Sequence, residues 1–324
     1  SAAAPRLGLN RRSRLTLQAV LRGDSGIDKR HFATQPVERV LGAGADELNE
    51  IFRREAPLLA GRALTAALAQ AGLRADELDA LLICTCSGYL CPGVTSYVAE
   101  QLGLRTNAYL QDLVGLGCGA AIPTLRSAQG VLAANPGATV ACVAVEICSA
   151  AFCLDDDPGV LVSACLFADG AAASIWRSEP PAEGAALRIE GFDTLHLPAE
   201  RDMIRFEQRD GRLRNLLSPA VPGLAAGAVA RLLAQEPAER GRPGRIIAHP
   251  GGRDVLDALE AALPGYALDA SRRVLAAYGN MSSPSVLFAL EDALREGRPG
   301  PGADWWLVSF GEGFSAHSCR LVGG

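Results

Sequence analysis

The sequence predicts a layered α/β fold made of two related halves. Short apolar runs that fit buried strands alternate along the chain with longer segments of helical spacing. A strand pattern that runs into a glycine-rich loop occurs twice, at residues 81–88 and again at residues 244–252. An internal duplication in which strands and helices alternate favours sheets covered by layers of helices.

Length and composition are those of a globular protein with a large core. The chain has 324 residues, of which 49% are apolar and 21% charged, enough for one large domain or two fused ones. A net charge of −5 argues against nucleic acid or an anionic membrane as the main partner. We expect a cytoplasmic protein, because the sequence shows neither a signal-peptide pattern nor an apolar run of membrane-spanning length.

The cysteines do not indicate a disulfide framework. Nine of them are spread over a long chain, and several lie in apolar strand-like runs, which favours a reducing compartment. No C-x-x-C spacing occurs and the chain has only four histidines. We therefore expect no metal site.

Strand and helix patterns alternate up to a polar, proline-containing loop at residues 178–186. That loop divides the chain into an N-terminal half, residues 1–183, and a C-terminal half, residues 184–324. The helix patterns cover 14–21, 46–73 (one helix or two), 95–102, 120–134, 254–262 and 285–295, and the strand patterns cover 78–86, 139–147, the alanine-rich end of 164–176, 187–197, the start of 244–252, and 304–310.

Cys118 and Asn280 occupy matching places in the two halves. Cys118 follows Ile83 by 35 residues, Asn280 follows Ile247 by 33, and each precedes a helix pattern. Cys118 stands between two glycines at the start of its helix, where the helix dipole favours an anion and a thiol should lose its proton more easily than free cysteine.

His249 and Asn280 supply partners for such a thiol. Both lie in glycine-containing loops, and a nucleophilic cysteine needs a base or a cation nearby, which histidine provides. An asparagine amide can donate to a developing oxyanion. Taken singly, a histidine after a strand also fits a core residue, and an asparagine after glycine fits a plain turn. The order Cys, His, Asn also suits a papain-like protease, but the α/β duplication argues against it.

The motifs around these residues resemble type III polyketide synthases, the chalcone and stilbene synthase family. The matching stretches are Gly117-Cys118, Ile247-Ala248-His249-Pro250-Gly251-Gly252, Tyr278-Gly279-Asn280-Met281-Ser282-Ser283, Leu166-Phe167-Ala168-Asp169-Gly170, and Cys86-Ser87-Gly88 with Pro92-Gly93. The resemblance extends from about residue 17 to residue 321. Ketoacyl carrier-protein synthase III, on the same fold, usually has a different histidine loop and lacks the turn Asn280-Met281-Ser282-Ser283.

The resemblance implies a five-layered αβαβα thiolase-like fold and a homodimer. It implies that Cys118 takes an acyl group from a thioester starter, while His249 and Asn280 bind malonyl-CoA, promote loss of carbon dioxide and stabilise the enolate. Phe167 matches a phenylalanine that stands between the CoA tunnel and the cavity. No cofactor is expected, because CoA thioesters are substrates and the chemistry needs only two donors aimed at one oxygen.

The residues that hold CoA depart from the family pattern. Three positions that are often basic correspond here to Leu17, Val20 and Asp24, and the nearest cation is Arg22. The loop residues Gly251 and Gly252, with Arg253 after them, complete the expected CoA-binding set. A starter bound to an acyl carrier protein is the alternative donor.

The expected substrate pocket is small and poor in hydroxyl groups. The resemblance places Phe167, Cys86, Cys91, Cys148, Ala151, Ser282, Arg205 and Arg214 around it. Such a lining favours an aliphatic starter over a phenolic one. The two arginines could instead anchor an acidic group. Cys91 replaces a longer side chain that in the family reaches across the dimer.

The function predicted from the sequence is decarboxylative condensation of an acyl starter with malonyl-CoA, followed by cyclisation to a pyrone, resorcinol or phloroglucinol. One alternative is an enzyme of the ketoacyl synthase III type that makes a single condensation, or an acyltransferase that makes none. Another is a non-catalytic subunit that binds a paralogous synthase. Glu312 stands where the family usually has proline, in Gly311-Glu312-Gly313, which keeps this last alternative open.

Overall fold

The computed structural model describes residues 8–22, 25–152, 154–180 and 187–323. The helices are α1 (Arg11–Arg22), α2 (Ala45–Ala71), α3 (Val94–Leu102), α4 (Ala121–Ala134), α5 (Pro158–Leu166), α6 (Val221–Gln235), α7 (Arg253–Ala262), α8 (Asp269–Tyr278) and α9 (Ser285–Glu296). The strands are β1 (Ala80–Cys84), β2 (Tyr109–Leu113), β3 (Val140–Glu146), β4 (Gly170–Trp176), β5 (Leu187–His196), β6 (Ile204–Arg209), β7 (Arg212–Leu217), β8 (Arg245–Ala248), β9 (Asp304–Gly311) and β10 (Ser315–Gly323).

Two four-stranded sheets form the framework. The first has the order β2-β1-β3-β4, with β1 parallel to β2 and β3, and β4 antiparallel to β3. The second has the order β5-β10-β9-β8, with β8 parallel to β9, and β10 antiparallel to both β9 and β5. The hairpin β6–β7 is separate from both sheets and packs with α5, which also contacts α1.

The same unit occurs in both sheets, which confirms the predicted duplication. In the first, β1 leads through α4 to the parallel strand β3 and the antiparallel strand β4. In the second, β8 leads through α9 to β9 and β10. Cys118 lies just before α4 and Asn280 just before α9, so the two residues are structural equivalents.

The helices form three layers around the two sheets. Helices α4 and α9 lie between the sheets, since α4 contacts strands β1, β3, β9 and β10, and α9 contacts β4, β8 and β9. Helices α2 and α3 cover the outer face of the first sheet, and α6 with α7 covers that of the second. The five-layered αβαβα arrangement implied by the resemblance is thereby confirmed.

The structure decides one alternative that the sequence left open and adds elements that the sequence did not predict. The pattern at 46–73 is one helix, α2, which ends at Gly72 in the left-handed conformation (φ 65°). Residues 164–166, which the sequence analysis assigned to no element, end helix α5, because Asp157 caps a helix that Pro158 begins. The sequence reading missed β2, α5, α6, α8, the β6–β7 hairpin and β10.

The predicted division between residues 183 and 184 stays a prediction, because residues 181–186 lie outside the described residues. No helix in the described part of the chain is long and apolar enough to cross a membrane.

Candidate active site

Cys118 lies in a 3-10 turn, Gly117–Gly119, that leads into α4, and its residue surface is only 3% exposed. Its backbone N–H donates to Oε2 of Glu312 at 3.1 Å. The end of β9 lies so close to this segment that a Cβ at Gly311 would be 3.0 Å from the backbone nitrogen of Cys118. Glycine is therefore required where the two turns meet.

The expectation of an acidic thiol at Cys118 is wrong for this structure. Burial, and then the negative charge of Glu312, raise the pKa of the thiol well above its usual value. A hydrogen bond with Ser282 acts in the opposite direction but does not outweigh them. The helix dipole is outweighed because the sulfur is buried beside a carboxylate.

His249 follows β8 and is fixed by its backbone. Its N–H donates to the carbonyl of Val308 at 2.8 Å, and the edge of its ring packs against Phe310 with the centroids 5.4 Å apart. Burial lowers the pKa of the imidazole to about 3, so the ring is neutral at physiological pH. An imidazolium that holds the Cys118 thiolate, as expected from the sequence, is therefore not favoured here.

The imidazole has one nitrogen without a partner. Nδ1 of His249 is buried and makes no hydrogen bond to any described residue. An unsatisfied buried nitrogen of this kind is costly, and it is available to a ligand in the site.

Asn280 is held by four hydrogen bonds before α9. Its backbone pairs with the α5–β4 connection, donating to Leu166 and accepting from Ala168. Its side-chain Oδ1 accepts from the N–H of Ser282 at 2.8 Å. Its Nδ2 donates to the carbonyl of Gly251 at 3.1 Å. These bonds fix the amide beside the loop that carries His249.

The contacts above bring the three predicted residues into one site. Phe310 and Gly311 connect the His249 ring to the Cys118 turn. Gly251 connects the His249 loop to Asn280. Phe167 connects Asn280 to Cys118, because it pairs with Asn280 as an isolated β-bridge and packs in one apolar cluster with Cys118.

Glu146 is a structural residue of this site that the sequence analysis missed. It ends β3, is fully buried, and ties the loop after β1 to the turn before α9. Its carboxylate accepts from the Thr85 hydroxyl, the Cys86 N–H and thiol, the Ser87 N–H and hydroxyl, and the Ser283 hydroxyl. An acidic residue at the end of an otherwise apolar strand is the signal that could have identified it.

Glu312 entered the sequence analysis only as a departure from the family pattern. In the structure its carboxyl lies on the Cys118 turn, in the space that Gly117 leaves by having no side chain. Oε1 of Glu312 is buried and has no hydrogen-bond partner among the described residues. Burial raises the pKa of this carboxyl to about 7, so acid and carboxylate coexist near neutrality.

Most of the predicted pocket residues surround Cys118 or its neighbours. Cys148 packs against Cys118 and Phe167, and Ala151 ends the same buried 3-10 turn that Cys148 begins. The sulfur of Cys86 lies 3.3 Å from the hydroxyl of Ser282, whose backbone has φ 60°. Cys91 is exposed in the single chain.

Arg205 and Arg214 are engaged by carboxylates on and near the β6–β7 hairpin. Arg214 is bound by Asp155 at 2.6 Å and by Glu207 at 3.4 Å. Arg205 is bound by Glu207 at 3.0 Å and by Asp202 at 3.3 Å. These ion pairs neutralise the two cations that the sequence offered as anchors for an acidic substrate.

The expected CoA-binding residues lie near the start of α7. Gly251 and Gly252 precede the helix, and Arg253 is its first residue. The guanidinium of Arg253 forms an ion pair with Asp254 at 3.0 Å. The Arg253 side chain lies against Gly26, where a Cβ would be 3.3 Å away. Arg22 ends α1, but its side chain and the whole of Asp24 lie outside the described residues. Leu17 and Val20 are half-buried on α1.

Within the described ranges, no group of three or more histidine, cysteine, aspartate or glutamate side chains could hold a metal ion.

Two family models match the chain. "Chalcone and stilbene synthases, N-terminal domain" covers residues 35–180. "Chalcone and stilbene synthases, C-terminal domain" covers residues 244–322. Together they account for more than half of the chain.

Curated relatives and solved structures match over nearly the whole length. A 1,3,6,8-tetrahydroxynaphthalene synthase of Streptomyces peucetius subsp. caesius is 33% identical over 312 residues, 93% of this chain and 82% of the relative. A 3,5-dihydroxyphenylacetyl-CoA synthase of Streptomyces toyocaensis is 30% identical over 306 residues, 90% and 78% of the two chains. The crystal structure of the tetrahydroxynaphthalene synthase of Streptomyces coelicolor A3(2) superposes with a TM-score of 0.87 at 28% identity, covering 97% of this chain and 90% of that one.

Proposed function

Because the chain belongs to the chalcone and stilbene synthase family and is a type III polyketide synthase, a decarboxylating condensing acyltransferase, we propose that Cys118, His249 and Asn280 carry out its chemistry. The observation that carries this proposal is the convergence of their three loops through Phe310, Gly251 and Phe167. In this role Cys118 is the nucleophile that receives the acyl group.

Malonyl-CoA is the proposed extender, and His249 with Asn280 binds its thioester oxygen. The neutral imidazole and the side-chain amide each supply an uncharged N–H donor at the end of a buried loop. Two such donors stabilise the enolate oxygen that forms as carbon dioxide leaves. The enolate carbon then attacks the acyl group on Cys118, which lengthens the chain by two carbons. No step of this cycle calls for a metal or redox cofactor.

The proposed starter is a small acyl group or malonyl-CoA itself, and the product a polyhydroxylated aromatic ring. The names of both curated relatives describe aromatic products with hydroxyls on alternate carbons, the pattern left when malonyl units condense and cyclise. The small side chains of Cys148 and Ala151 near Cys118 support a compact starter. Because carboxylates already bind Arg205 and Arg214, these arginines are less suited to bind an acidic group of the substrate.

The proposed thioester donor is CoA rather than a carrier protein. Because Gly251 and Gly252 have no side chains, an extended substrate can pass close to the backbone of their loop. Arg253 adds a cation at the start of α7. Arg253 also lies against Gly26, just after the positions of Leu17, Val20 and Asp24, where the family often has basic residues for the CoA phosphates.

A homodimer is proposed from one edge of the first sheet. Strand β2 is at that edge, and the side chains of Tyr109, Leu110 and Val114 on and after it are exposed in the single chain. An edge strand that carries exposed apolar residues is a site for pairing with another chain. The occupant proposed is a second copy of this protein.

The test is the mass of the intact protein after incubation with malonyl-CoA, acetyl-CoA and longer acyl-CoAs. We expect one acyl group on the wild type and none on Cys118→Ala. Cys142→Ala is the matched control, because Cys142 is another buried cysteine but lies within β3, away from the site. Acylation of the Cys118→Ala protein would overturn the assignment of the nucleophile. Acylation only by a carrier-protein thioester would overturn the proposed donor.

A further inference from the structure

The carboxyl of Glu312 is the one feature at the Cys118 turn that the chemistry above leaves unused. We propose that Glu312, as the neutral carboxylic acid, donates its Oε1–H to the oxygen of the acyl group on Cys118. This makes Glu312 a further catalytic residue of the enzyme. The inference rests on Cys118 carrying the acyl group, as proposed above.

The position of the carboxyl is the first argument. Oε2 accepts the N–H of Cys118 at 3.1 Å, so the carboxyl is held on the same residue that carries the reacting sulfur. A backbone N–H at the start of a helix is the donor that an acyl oxygen on such a cysteine would otherwise use. Because Glu312 occupies that N–H, the acyl oxygen needs a different donor.

The unused oxygen is the second argument. Oε1 of Glu312 is buried without a hydrogen-bond partner in the described part of the chain, whereas both carboxylate oxygens of the nearby Glu146 accept several bonds. Buried polar atoms of proteins are almost always satisfied. A protonated Oε1 would be satisfied by donating to an acyl oxygen beside it.

The electrostatic surroundings keep part of Glu312 in the acid form at neutral pH. Burial and the charge of Glu146 raise its pKa to about 7, although the backbone N–H groups of Glu312 and Cys118 bind the carboxylate and lower the pKa. The titratable groups that face Glu312 or the two turns it joins are Cys86, Cys118, Cys148, Glu146, His196, His249 and His317. No lysine or arginine is among these facing groups, so none of them stabilises the carboxylate. A carboxylic acid kept neutral by such surroundings can serve as a hydrogen-bond donor at neutral pH.

The acylation step then proceeds as follows. The Cys118 thiolate attacks the thioester carbonyl, a carbon–sulfur bond forms, and the π electrons move onto oxygen. Glu312 donates a hydrogen bond to this oxygen and keeps its proton. When the carbonyl re-forms, the bond to the CoA sulfur breaks. The departing CoA thiolate takes up a proton from solvent, which balances the proton that Cys118 gave to solvent when it ionised. An ionised Glu312 would repel the oxyanion and also disfavour the thiolate.

The test is the rate of Cys118 acylation in a single turnover between about pH 5.5 and 9, a range that spans the titration of a group near neutrality. In the wild type the rate should rise with pH as Cys118 ionises and level off above about pH 7, because loss of the Glu312 proton then offsets the further ionisation of Cys118, whose pKa lies higher. Glu312→Gln keeps a donor that does not titrate in this range. Its rate should stay within about tenfold of the wild type near pH 7 and should keep rising with pH above that value.

A purely structural role of Glu312 would lower the rate of Glu312→Gln equally at every pH. A levelling of the Glu312→Gln rate with the same midpoint as in the wild type would overturn the proposal. The stretching frequency of a ¹³C-labelled acyl carbonyl on Cys118 tests the wild type alone. We expect a lower frequency at pH 6 than at about pH 8.5, because the carbonyl accepts a bond only from the acid. An unchanged frequency would equally overturn it. Failure of the proposed function would look different, because the wild type would then form no acyl-enzyme.

Discussion

The side-chain amide of Asn280 donates to the backbone carbonyl of Gly251 at 3.1 Å, and this bond joins the loop after β8 to the turn before α9. The bond fixes which end of the amide is the nitrogen, because Oδ1 accepts from the N–H of Ser282. The second N–H of the same amide is thereby oriented within the site.

Asn280→Asp tests this orientation. Oδ1 can still accept from Ser282, but the other position becomes a carboxylate oxygen facing the Gly251 carbonyl. We expect the rate of malonyl-CoA decarboxylation to fall by about 100-fold or more, because a donor to the enolate oxygen is replaced by a negative charge. The measurement is carbon dioxide release under single-turnover conditions.

The control is Asn135→Asp, whose amide also faces a carbonyl, that of Val131, but at 3.5 Å and at an exposed helix end. Decarboxylation by Asn280→Asp at close to the wild-type rate would contradict the proposed role of Asn280.

His249 should make the folded protein sensitive to acid. Its pKa is lowered from 6.5 to about 3 in the folded state, so between these values the unfolded chain binds a proton that the folded protein does not. Stability is therefore lost as pH falls below about 6.5, at up to about 1.4 kcal/mol per pH unit. His249→Gln removes this contribution.

Between pH 7 and pH 5, we expect the free energy of unfolding of the wild type to fall by about 2 kcal/mol more than that of His249→Gln. Chemical denaturation at both pH values measures it. His31→Gln is the control for loss of an imidazole at an exposed position. Equal losses of stability in the wild type and in His249→Gln would show that the buried ring is not the cause.

The repeat in the sequence located the main site residues, because topology follows from the order of strands and helices. The similar spacing of Cys118 and Asn280 from their strands, 35 and 33 residues, reflects two copies of one strand–helix–strand unit. The geometry of such a unit is local and is indicated by turn and helix signals in the sequence.

The electrostatics of the site could not be read in the same way. The pKa of Cys118 depends on Glu312, which is 194 residues away along the chain and reaches the thiol only when β9 and the Cys118 turn are packed together. The same holds for Glu146, whose partners come from two segments far from it in the sequence, residues 85–87 and Ser283. Charges that meet only after folding leave no periodic signal in the sequence.

The exposed edge of the first sheet gives a prediction on assembly. Leu110 on β2 is 37% exposed in the single chain. If two copies meet at this edge, Leu110→Glu would bury a charge in the interface and should convert the dimer to a monomer. Light scattering after gel filtration measures the mass directly.

Leu58→Glu is the matched control, since Leu58 is 45% exposed on α2, on the outer face of the sheet. An unchanged mass for Leu110→Glu, or a monomeric wild type, would contradict the proposed dimer.

Gly117 should tolerate no side chain as long as Glu312 is present. Gly117 has φ 54°, and a Cβ on it would overlap the Glu312 carboxylate. Gly115 is the matched control, because it has φ 85° but no heavy atom within 4 Å of its added Cβ. We expect Gly115→Ala to cost about 1 kcal/mol from backbone strain alone.

Gly117→Ala should lower the free energy of unfolding more than Gly115→Ala does. The added methyl group displaces the Glu312 carboxyl, which then loses its hydrogen bond from the Cys118 N–H. In the Glu312→Ala background the overlap is gone, and the cost of Gly117→Ala should fall to that of Gly115→Ala. The free energy of unfolding of the four proteins in this cycle measures the coupling between the two residues. If Gly117→Ala lowers the free energy of unfolding equally in both backgrounds, Glu312 does not occupy the space above Gly117. That result would also contradict the hydrogen bond between Glu312 and the Cys118 N–H.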